Sequence, residues 1–139
     1  MKKITFALAA LFVCLTANAG SYQIGHAQNM CNALPQRTVY NEVNQVGIEE
    51  NFDLATPRRI YAEVMCTLMG QDDANGNPLY SYVFRAAVQK PINDEGVQKW
   101  VSIRPDLDRI SYGAMTVRGV EDALRAQTRI LLRSHKNVR

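Results

Sequence analysis

The chain has 139 residues, 47% of them hydrophobic and 21% charged, with a formal net charge of +3. That length suits one domain with a modest core. Residues 20–76 hold Arg37, Arg58 and Arg59 against seven acids, whereas residues 77–139 hold eleven basic against six acidic residues. This split excludes a uniformly basic nucleic-acid binder and leaves room for an acidic partner at the C-terminal end.

Residues 1–19, MKKITFALAALFVCLTANA, have the pattern of a secretory signal peptide. Lys2 and Lys3 form the charged start, Ile4 to Thr16 the apolar run and Ala17-Asn18-Ala19 a small-x-small cleavage site. The expected mature protein is then residues 20–139, a single exported domain. The apolar run is too short to span a bilayer, and no later segment approaches the ~20 apolar residues a spanning helix needs. Anchoring through Cys14 as a lipoprotein is disfavoured, because bulky Phe12 and Val13 stand where a small residue is wanted. The periplasm is the expected destination, with secretion into the medium as the alternative. Cys31 and Cys66 remain, and two cysteines in an oxidising compartment predict one disulfide. Their spacing matches no CxxC or zinc pattern, so redox or metal chemistry is not expected of them.

From Ser21 to Leu34, Ile24, Ala27, Cys31 and Leu34 fall on one helical face, and the expected first element is a helix stopped by Pro35. Arg37 to Asn51 mixes strand-favouring Thr38, Val39 and Tyr40 with Asn41, Asn44, Gln45 and Gly47, and is expected to be irregular. Ile60 to Leu68 alternates apolar residues at every even position. The turn Gly70–Pro78 follows, then the β-favouring run Leu79–Lys90, the turn Pro91–Gly96 and a third run, Val97–Arg104. These three runs predict an antiparallel meander. Asp106–Gly113 is expected to be a loop. Met115 to His135 is expected to be an amphipathic helix, with Val120, Ala123, Leu124, Ile130 and Leu131 on one side and Arg118, Arg125, Arg129, Arg133 and Lys136 on the other.

The predicted fold class is therefore α+β: an N-terminal helix, a small antiparallel meander of about three strands and a C-terminal amphipathic helix. An all-α bundle is the alternative, since Thr56-Pro57 could start a helix in which Ile60, Val64 and Leu68 share a face. In the meander, Trp100 is expected opposite Ala86, and Tyr80, Tyr82, Phe84 and Trp100 are expected to share one face. Cys31 on the first helix would be bridged to Cys66 on the first strand.

Catalytic chemistry is poorly supplied. His26 and His135 are the only histidines, and no GxSxG elbow or glycine-rich phosphate cradle is present. Glu49-Glu50, Asp72-Asp73 and Asp94-Glu95 are adjacent pairs, which on a strand point to opposite faces. Asp72, Asp73, Asn75 and Asn77 do not follow the order of a calcium-binding EF-hand loop and suit a solvated turn. No enzyme activity, metal or cofactor is expected.

The expectation is a non-enzymatic periplasmic protein that binds another protein, as an inhibitor, an immunity protein or an accessory of an envelope machine. Its candidate contact residues are Arg118, Arg125, Arg129 and Arg133 on the last helix, and Tyr80, Tyr82 and Trp100 on the sheet. Two alternatives stand beside it. One is a small secreted enzyme or toxin acting on cell-wall or host substrates, with His26 in a cleft. The other is a module that binds a glycan or an anionic lipid through the arginine stripe.

Overall fold

The computed structural model describes residues 23–52 and 58–136. The expected signal peptide and the Thr56-Pro57 helix start lie outside these residues. The elements are β1 (Gln23–Met30), α1 (Thr38–Glu49), β2 (Arg59–Asp72), β3 (Pro78–Asp94), β4 (Val97–Ser102), a short 3-10 turn (Pro105–Leu107), β5 (Arg109–Met115) and α2 (Val117–Lys136). The class is α+β, and the all-α alternative does not hold.

All five strands form one mixed sheet. β1 pairs with β2 in parallel, and β2 pairs with β3 antiparallel. β3, 17 residues long, is the spine. Its first half pairs with β5 and its last residues with β4, so the two short strands lie end to end along one edge. Both turns of the meander are set by local chemistry. Asp73 Oδ1 accepts from the backbone N–H groups of Asn75 and Asn77, each at 2.8 Å, and the backbone and side-chain bonds from Asn77, followed by that from Asn75, hold the Asp73 carboxyl below its ordinary pKa. Glu95 and Gly96 take positive φ (50° and 81°), the two-residue turn that matches strand twist.

The two helices pack against each other and against one face of the sheet. From β2 that face contributes Ile60, Ala62 and Val64, and from β3 Tyr82, Phe84, Ala86 and Val88, all buried. Val39, Val43 and Val46 of α1 and Val120, Leu124, Leu131 and Leu132 of α2 close over them.

Four expectations are corrected. The N-terminal helix is strand β1: a bulge between Ile24 and His26 sets Ile24 beside Ile60 and Ala27 beside Ala62, so three residues of β1 span two of β2. The inserted residue turns a period of two into a spacing of three, which imitates a helix. The region expected to be irregular is α1, whose buried Val39, Val43 and Val46 fall at i, i+4 and i+7; packing of that face outweighs the β-branched propensity. The expected loop at Asp106–Gly113 contains most of β5, which β3 is long enough to pair. Trp100 lies opposite Pro91 and not Ala86, because the tight Glu95-Gly96 turn lets β3 run on to Asp94.

Candidate functional site

The sheet has a second face, and neither helix covers it. Side chains alternate along a strand, so the register determines what this face presents. Met30 of β1 lies beside Met65 of β2, Met65 beside Val83 of β3, and Val83 beside Tyr112 of β5. These four residues form an apolar row across the sheet, with Met30 41% and Tyr112 78% exposed. One step along the strands lies the row Gln28, Glu63 and Arg85, polar until it ends on Ile110 of β5. Glu63 and Arg85 form an ion pair at 3.9 Å. Tyr61, next to Glu63 on the same face, has its phenol pKa pushed up to about 12, first by burial and then by the Glu63 carboxylate. It therefore stays protonated at any physiological pH.

Beyond the meeting point of β4 and β5, the same face carries Arg59, Gln89 and Trp100. The Arg59 guanidinium lies 4.1 Å from the centre of the Trp100 ring, and Arg59 Nε donates to Gln89 Oε1 at 2.9 Å. A depression of about 180 Å³ opens between the two parts of the face, bounded by Tyr61, Arg85, Gln89, Ser102, Asp108 and Ile110. Ser102 Oγ donates to Asp108 Oδ1 at 2.6 Å on its rim. Its volume suits a single side chain rather than a ligand that needs the usual ~300–1,000 Å³.

The candidate residues fall into separate places. Trp100 lies on the uncovered face. Tyr82 lies in the core, where its hydroxyl is 2.9 Å from Ser111 Oγ. Tyr80 is half-buried on the helix side, near Cys66 and Leu68. The arginine stripe divides. Arg125 Nε donates to Glu42 at 2.7 Å, Arg129 pairs with Glu49 at 2.7 Å and Glu50 at 3.2 Å, and Arg133 pairs with Glu50 at 2.9 Å. Hydrogen bonds from Arg129 to Glu49 and from Arg133 to Glu50 hold both carboxyls below their ordinary pKa. These three arginines thus form a ladder to α1, and Arg118 lies outside it, exposed beside the Asp73–Pro78 turn. His26 sits in β1 opposite Tyr61. His135 Nδ1 is bonded to the Leu131 carbonyl at 2.9 Å.

The row Met30, Met65, Val83 and Tyr112 was not singled out from the sequence. Its members come from four strands, and only the odd-position alternation of Met65 and Val83 hinted at a common face.

Cys31 and Cys66 are joined by a disulfide. Such a bridge fits an oxidising compartment. No helix among the described residues is long and apolar enough to cross a membrane. No group of three or more possible metal ligands is present among the described residues. No protein-family model matches the chain, and neither curated proteins nor solved structures give a match.

Proposed function

We propose that this chain is a non-enzymatic exported binding protein, acting in the periplasm, whose uncovered sheet face receives another protein. One observation carries it: the in-register row Met30, Met65, Val83 and Tyr112 on the face opposite the helices. A sheet with one solvated face ordinarily turns polar residues to that side. An apolar band edged by polar groups is the usual composition of a protein contact. Methionine suits such a band because its unbranched thioether adapts to a partner's shape. The Glu63–Arg85 pair beside it supplies one charge of each sign, which can orient a partner at little cost in net charge. The depression between Tyr61 and Ile110 offers a seat for one anchoring side chain.

The three paired arginines have acidic partners within the chain, so a polyanionic glycan or lipid would have to displace Glu42, Glu49 and Glu50. The uncovered face is the stronger candidate. The test is photo-cross-linking in the exported protein, with the photoactive residue placed at Met65, at Ile110 or at Ile48. Ile48 is 61% exposed on α1 and serves as the control. One heterologous adduct from Met65 and Ile110, absent from Ile48, is expected. Adducts only from Ile48, or none from the sheet face, would overturn the proposal.

A further inference from the structure

β5 is the unguarded edge of the sheet. One side of it pairs with β3 and the other pairs with no strand among the described residues. An edge strand offers unpaired N–H and C=O groups to any extended chain, and proteins usually blunt it with a bulge, a proline or an outward lysine. β1 has its bulge and β4 has Lys99, ion-paired to Asp94. β5, with the sequence RISYGAM, has no proline or lysine, and its seven residues pair with β3 without a register shift.

We propose that β5 pairs antiparallel with β5 of a second copy of this chain. A two-fold axis perpendicular to the sheet keeps side chains on their own face, so each residue must oppose one of like parity. The register that pairs all seven residues sets Tyr112 opposite its own copy, Ile110 opposite Ala114 and Ser111 opposite Gly113. Arg109, already bonded to Gln127 of its own α2, falls opposite Met115, and no two like charges meet. Tyrosine and isoleucine are strong cross-strand partners, and both are mostly exposed here, at 78% and 63%.

The helix above the edge agrees. At about 100° per residue, Arg125, Arg129 and Arg133 turn toward α1. The other flank of α2, marked by the Arg109–Gln127 bonds as the side over β5, carries Gly119, Ala123, Gln127 and Ile130. It is uncharged, with Gly119 and Ala123 keeping its first half low, so a second α2 can lie alongside it. The pair would join two five-stranded sheets into one, with all four helices on the same side. The row of Met30, Met65, Val83 and Tyr112 would continue into its own copy across the axis. Pairing at the β5 edge does not depend on the face taking a partner.

The experiment measures the mass of the mature protein by sedimentation equilibrium, together with three cysteine variants. A dimer is expected for the wild type, and at least tenfold weaker association for Tyr112→Lys, which sets two cations face to face. Directly opposed residues lie about 4.5–5.5 Å apart at Cα, within disulfide reach. Tyr112→Cys should therefore cross-link to itself. Ile110→Cys should not cross-link to itself but should cross-link when mixed with Ala114→Cys. Circular dichroism melts confirm that each variant is folded. Met65→Lys, which alters the sheet face away from the edge, should leave the dimer intact while removing the heterologous adduct. A monomer mass at every concentration, a dimer unaffected by Tyr112→Lys, or no cross-link from Tyr112→Cys would overturn the proposal.

Discussion

A Cβ built on Gly25 would lie 2.0 Å from Cδ of Arg59. The absence of a side chain at that position lets Arg59 lie flat across β1, and the same arginine then reaches the face of Trp100, the only tryptophan of the chain. Glycine, arginine and indole thus form one stack drawn from β1, β2 and β4. Gly25→Ala is expected to displace the Arg59 side chain and cost about 1 kcal/mol, chiefly the lost contact between guanidinium and indole. In an Arg59→Ala background the same change should cost no more than about 0.5 kcal/mol, because nothing remains to clash. Chemical denaturation of the four proteins in that cycle measures the coupling, and Trp100 emission should shift whenever the guanidinium leaves the ring.

At the scale of elements, the charge asymmetry of the sequence becomes an attraction between helices. The acids of the first half include Glu42, Glu49 and Glu50 on or beside α1, and the bases of the second half include the ladder on α2. Glu49 and Glu50 have folded pKa values below 4.5, first through hydrogen bonds from Arg129 and Arg133. A carboxylate with a depressed folded pKa binds fewer protons in the native state than in the unfolded chain. Its contribution is therefore complete above the unfolded value near 4.5 and is lost as pH falls through the folded value. Melting temperature measured from pH 7 to pH 3 should fall more steeply for the wild type than for the Glu49→Gln/Glu50→Gln double variant. High salt should narrow the difference, since the arginines are partly exposed.

For the whole molecule, the disulfide closes the one parallel crossover. Met30 lies beside Met65, so Cys31 and Cys66 are the next positions in register, with Cα atoms 4.6 Å apart. The bridge spans a sequence separation of 35 residues and encloses α1. Parallel pairing with an intervening helix carries a large loop-closure cost. Removing a link over such a loop should cost about 4 kcal/mol on the chain-entropy model. Urea unfolding of Cys31→Ser/Cys66→Ser against the wild type checks this, and reductant should bring the wild type close to the double variant.

Hydrophobic period and turn chemistry were enough to recognise α2, the three central runs, the two turns between them and the cysteine pair, because each is a local property of neighbouring residues. Export remains a proposal drawn from residues 1–19. The rest required the folded sheet. A bulge disguised β1 as a helix, and β-branched valines disguised α1 as irregular chain. β5 became a strand only because β3 extends far enough to pair it. The candidate site was hidden for the same reason. Met30, Met65, Val83 and Tyr112 are remote in sequence, and hydrogen-bond register alone aligns them on a face that no helix covers. Conversely, the basic stripe was visible on a helical wheel, but only packing against α1 revealed that Arg125, Arg129, Arg133 and Lys136 already have acidic partners. Local chemistry specifies which segments turn, alternate or coil; which surfaces remain open depends on long-range pairing, whose register no short window of sequence contains.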